Sequence, residues 1–76
     1  MTNKEPTAFG KKLKELRESF GDSTVEFAKR AQMEIAYVNY YEKSPWANPT
    51  ISIIEKIAKN CGVSADWLCG RIPEES

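Results

Sequence analysis

The chain has 76 residues, 41% of them hydrophobic and 29% charged, with 11 Lys and Arg set against 11 Asp and Glu. That is the size of one small domain, which buries only roughly 60% of the surface its unfolded form exposes, and the composition is too apolar for a disordered chain. It excludes a second domain and any apolar run of bilayer length, and the charge balance gives no overall pull towards a polyanion, so any nucleic-acid binding must depend on how charge is spread over one face.

Residues 1–6 are polar and lack the apolar stretch of a secretion signal, so they read as a flexible tail and the expected location is cytoplasmic. Residues 7–70 read as the domain, and residues 71–76 as a second polar tail. Phe9, Leu13, Leu16 and Phe20 recur in steps of four, three and four, which predicts a first helix with one apolar stripe, closed by Gly21. Its outer face carries Lys11, Lys12, Lys14, Glu15, Arg17 and Glu18, where bases alternate with acids and make a weak basic patch.

Ser23-Thr24-Val25-Glu26 is a capping box and starts a second helix that runs to about Ala31, too short to stand without tertiary support. After Gln32 and Met33, a third helix is expected over 34–43, with Val38 and Tyr41 inside. Pro45 and Pro49 make the next stretch a loop. Thr50 caps a fourth helix bearing Ile51, Ile54, Ile57, Ala58 and Cys61, and Gly62 ends it. Ser64 caps a short fifth one with Trp67 and Leu68, stopped by Gly70. No segment alternates with period two over strand length, so the class is all-α.

Two short helices joined by a three- or four-residue turn pack steeply only if the first offers a small residue and the second an apolar one. Ala28 and Val38 fit, with Phe27, Ala31, Met33 and Tyr41 completing the inward face. Ile35, Ala36, Tyr37, Asn39 and Tyr40 are left outside.

Leu13-Lys14-Glu15-Leu16-Arg17-Glu18, Phe27-Ala28-Lys29-Arg30, Val38-Asn39-Tyr40-Tyr41-Glu42, Asn48-Pro49-Thr50 and Gly62-Val63-Ser64-Ala65-Asp66-Trp67-Leu68 follow one another in a known order. In these pieces the chain resembles the Cro and lambda-repressor helix-turn-helix regulators of phages and bacteria, over Phe9 to Gly70. The resemblance implies a five-helix, lambda-repressor-like DNA-binding domain acting as a transcriptional repressor on double-stranded DNA, as a homodimer, with the third helix in the major groove and half-sites about one helical turn apart. It places Thr24 against a phosphate, Ile35, Ala36 and Tyr40 at base edges with Tyr37 and Asn39 nearby, and Lys43 near a phosphate where the chain leaves the groove. It also implies an ion pair between Arg17 and Glu42. The fifth helix and the tail offer Leu68, Ile72 and Trp67 as dimer contacts, with Trp67 read first as core.

The chain departs from the family's pattern at several places, among them the surroundings of Thr24, where a glutamine is usual, and a loop after the third helix one residue longer than the common form, with Trp46 where basic residues are frequent. Gln32 stands where glycine is usual and Glu34 where a Ser or Thr cap is usual. Ile35 and Ala36 replace side chains that hydrogen-bond to purine edges, so they offer apolar contact only. The exposed row of Ile35, Ala36, Tyr37 and Tyr40, with Trp46 close by, also has the composition of a protein interface, so a second reading keeps the fold and gives Tyr37, Tyr40 and Trp46 to a protein partner.

An enzyme is not expected. There is no histidine to serve as general base or metal ligand. Ser23, Ser52 and Ser64 read as caps or surface hydroxyls, and Asp66 and Glu55 as solvated helix carboxylates. Cys61 and Cys69 are too few for a structural zinc site and read as reduced, small apolar residues, so no metal or cofactor is expected.

Overall fold

The computed structural model describes residues 7–70, so both tails and Ile72 lie outside the described residues. Five helices follow in order: α1 Ala8–Ser19, α2 Thr24–Ala31, α3 Ile35–Lys43, α4 Ile51–Cys61 and α5 Ala65–Leu68. The all-α class and all five predicted elements are present.

Four of the five helix starts have a local chemical cause. The side-chain oxygens of Thr7, Ser23, Thr50 and Ser64 accept the amides of Gly10, Glu26, Ile53 and Trp67, and the Glu26 carboxylate accepts the Ser23 amide to complete the capping box. At the other ends Gly21, Gly62 and Gly70 take positive φ of 71°, 73° and 80°. At the end of α2 this left-handed position is held by Gln32, with φ 60° and ψ 49°, the one non-glycine residue with positive φ among those described. The Met33 amide donates to Ala28 O at 2.8 Å and the Gln32 amide to Lys29 O at 3.2 Å, the paired bonds of a Schellman turn. The turn geometry is therefore kept without glycine, at a backbone strain of roughly 1–2 kcal/mol.

α3 packs on α1 and α2, α4 on α2 and α5, and α5 closes back on α1. The core is Phe9, Leu13, Leu16, Phe27, Ala28, Ala31, Val38, Ile54, Ile57, Ala58 and Leu68, with Met33, Tyr41 and Trp67 packed against it. Ala28 and Val38, expected at the closest approach of α2 and α3, are both buried.

Four sequence expectations need correction. Phe20 does not continue the stripe of α1: the helix stops at Ser19, and the turn into Gly21 leaves the ring 37% exposed. Ile51, the first residue of α4, is 63% exposed and stands outside the core. Lys12 is buried, with its ammonium over the Trp67 ring at 4.8 Å from the centroid. Leu68 is fully buried, so it fills the core and offers nothing to a dimer partner.

Among the described residues no helix is long and apolar enough to cross a membrane. No group of three or more His, Cys, Asp or Glu among them is placed to hold a metal ion. Cys61 and Cys69 are both free thiols, and burial pushes the Cys61 thiol above its ordinary pKa.

Candidate nucleic-acid interface

A helix turns about 100° per residue, which settles what α3 can present once its buried residues are known. Val38 and Glu42, one turn apart, are buried and define the inner side. Ala36, Tyr40 and Lys43 then lie on the opposite side, and all three are exposed. Ile35 and Asn39 share one flank, with Ile35 40% exposed and Asn39 half-buried, while Tyr37 and Tyr41 share the other. Tyr37, 55% exposed, stacks on Tyr41 with ring centroids 6.2 Å apart. Tyr40, 49% exposed, leans on the same ring at 5.6 Å, and Tyr41 meets Phe9 edge-on at 5.4 Å. Tyr41 is thus the pedestal that anchors the two exposed rings to the core.

The leading end of α3 carries Glu34 in an extended N-cap conformation, but its side chain makes no capping hydrogen bond and is exposed. The carboxylate stands where the helix dipole is positive. At the other end the Ser44 amide donates to Tyr40 O, and the Trp46 amide to the Ser44 hydroxyl. Trp46 itself is 78% exposed on the loop, which is tied down instead by buried Ala47.

Thr24, at the first turn of α2, and Lys43, at the last of α3, line one surface cleft of about 320 Å³ with Lys14, Arg17 and Glu42. The two candidate phosphate contacts, distant in sequence, therefore share a site. Lys14 joins them from α1, a role hidden in the sequence by the acids around it. Arg17 adds little free charge there. Its guanidinium gives Nε to Glu42 Oε2 at 2.8 Å and Nη2 to Oε1 at 3.1 Å, while Nη1 donates to Asp22 O at 3.0 Å. The Glu42 hydrogen bonds hold the Arg17 pKa above its ordinary value.

The turn between α2 and α3 is held from outside as well. Asn60 of α4 donates through Nδ2 to Ala31 O at 2.9 Å, supplying a partner for a carbonyl the helix end leaves open. Arg30 forks onto Asp22 at 2.7 and 3.2 Å and covers the Phe20 ring at 3.9 Å, clamping α2 to the end of α1. That hydrogen-bonded guanidinium holds the Asp22 carboxyl below its ordinary pKa. The Asn60 and Arg30 contacts leave no signal in the sequence, because both join segments with no pattern in common.

The structure thus places Ile35, Ala36, Tyr37 and Tyr40 together on an exposed face, with Asn39 partly withdrawn, and gathers Thr24 and Lys43 at a neighbouring cleft.

Comparison with known proteins gives a consistent answer. A family model described as helix-turn-helix, HTH_3, matches residues 13–68. Among solved structures, a hypothetical transcription factor from Neisseria is 29% identical, covers 91% of this chain and 76% of its own, and superposes with a TM-score of 0.75. SinR, a master regulator for biofilm formation solved in complex with DNA, is 30% identical over 79% of this chain and 95% of its own, with a TM-score of 0.71. The restriction-modification controller protein C.AhdI from Aeromonas hydrophila is 27% identical over 82% and 92%, also at 0.71. No curated protein matches the chain by sequence. Since the matched span takes in both helices of the steep pair, the turn between them and the core that supports them, this chain belongs to the HTH_3 helix-turn-helix family.

Proposed function

We propose that the protein is a sequence-specific transcription regulator of the repressor type, phage-like or bacterial, that lays α3 in the major groove of duplex DNA. The observation that carries this reading is the exposed side of α3 standing opposite buried Val38 and Glu42, flanked by a cleft that holds Thr24, Lys14 and Lys43. In this arrangement Thr24 and Lys43 meet phosphates, and Ile35, Ala36 and Tyr40 face base edges with Tyr37 and Asn39 beside them. SinR, similar over most of this chain, was solved bound to DNA. A homodimer in the cytoplasm, with half-sites roughly 34–36 Å apart, completes the reading. Family membership favours a binding protein over an enzyme.

The test is a titration of the full chain with duplexes selected from random sequence, at two salt concentrations. Affinity should fall with salt with a log-log slope of about −0.9 per phosphate neutralised, and Tyr40→Ala should change the preferred sequence.

One observation favours a second reading. Tyr37, Tyr40 and Trp46 are 55%, 49% and 78% exposed, the aromatic composition of an interface core. A SinR–SinI protein complex is among the similar structures, 28% identical over 90% of this chain. Capture of a protein partner that Tyr40→Ala abolishes, with no DNA selected, would favour it.

A further inference from the structure

The chemistry of the leading turn of α3 goes further than duplex binding, on which the following rests. Guanine is read best by a guanidinium or ammonium fork in the major groove. Here the first two turns of α3 offer none: Glu34 is an acceptor, Ile35 and Ala36 are apolar, and Tyr37 and Tyr40 carry hydroxyls that their rings hold out on the Tyr41 pedestal. Lys43 stands two turns away, at the cleft with Thr24. Ala36 lies on the outward side with only a methyl group, beside the Tyr40 ring one turn later. Ile35 projects on the flank it shares with Asn39, one turn later. That flank pairs an apolar tip with a carboxamide, which match the C5-methyl of thymine and the N6/N7 edge of adenine.

We infer that the half-site presents A·T pairs to this flank, with a thymine methyl packed on Ile35 and an adenine edge met by Asn39. Glu34, at the same end, adds repulsion towards phosphates and no purine donor, so discrimination here rests on the methyl contact of Ile35 and the carboxamide of Asn39.

The discriminating experiment uses the full chain and a duplex selected from random sequence, made again with deoxyuracil for thymine one position at a time. Deoxyuracil keeps every hydrogen-bonding group and removes only the methyl. At one thymine of each half-site the exchange should weaken binding by about fourfold, the equivalent of one buried CH₂. For Ile35→Ala the same exchange should cost less than about 1.5-fold. Ile35 is 40% exposed and alanine suits a helix, so the variant should unfold at nearly the wild-type temperature. Salt-sensitive binding with no methyl dependence, or with equal dependence in both proteins, would overturn this inference and leave duplex binding standing. Failure to bind any duplex at low salt would overturn the duplex reading itself.

Discussion

Arg17 and Glu42, 25 residues apart in the chain, are joined by two near-parallel hydrogen bonds of 2.8 and 3.1 Å that fix the first helix to the end of the third. The Glu42 side chain is 3% exposed and that of Arg17 16%, so both charges are largely out of water and rely on each other. The sequence resemblance implied this pair, and the structure adds the third guanidinium bond, to Asp22 O. Because α3 carries the exposed face, the pair sets how that face stands relative to α1.

Glu42→Ala should therefore cost about 3 kcal/mol, the lower end for breaking a buried pair, since Arg17 also lines the cleft and keeps its bond to Asp22 O. A domain of this size has a total stability of similar order, so denaturant unfolding should show a folded fraction reduced even in water. The double variant Arg17→Met with Glu42→Leu should recover most of the loss, and a double-mutant cycle would read the coupling directly.

Gln32 and Asn60 act on one turn in opposite senses. Gln32→Gly removes the strain of a left-handed side-chain-bearing residue, less the extra freedom glycine gains when unfolded, and should stabilise by about 0.5–1 kcal/mol. Asn60→Ala removes the donor to Ala31 O and should destabilise by about 1–3 kcal/mol. Urea midpoints at constant m-value check both.

Glu34→Ser should stabilise α3 and strengthen binding together. The backbone at this N-cap is extended, as a capping serine requires, yet Glu34 makes no cap bond. Serine should add roughly 0.5–1 kcal/mol in thermal unfolding, and loss of the carboxylate should raise affinity for duplex DNA, most at low salt. A variant that gains stability while affinity stays level would separate α3 from the groove.

Lys14→Ala and Lys43→Ala should each lower the magnitude of the log-log salt slope by about one and weaken binding to all sequences alike. Thr24 lines the same cleft, so Thr24→Ala should weaken binding with a smaller change in slope. Lys59, exposed on α4 and not among the residues lining that cleft, serves as the control.

Acid should loosen the clamp between α1 and α2. The hydrogen bond from Arg30 lowers the Asp22 pKa in the folded protein, so the unfolded chain takes up a proton first as pH falls. The Asp22 contribution is complete above about pH 4, the ordinary carboxylate range, and is lost as pH falls through the lowered value. Asp22→Asn should show a smaller loss of stability than the wild type over that interval in chemical denaturation.

Most helix starts and stops are written locally in the chain, because capping is settled within four residues: Ser23 with Glu26, Thr50 with Ile53, Ser64 with Trp67, and glycines at three of the helix ends. Period and residue size also selected the Ala28 and Val38 pairing, and the family pattern supplied the candidate face of α3. Packing alone settles which side chains leave water, a property of neighbours remote in the chain. It left Phe20 and Ile51 outside, drew Lys12 over Trp67, and sealed Leu68 into the core. It also brought Lys14, Thr24 and Lys43 to one cleft and set Asn60 against the turn, since distances between helices follow from packing and not from spacing along the chain.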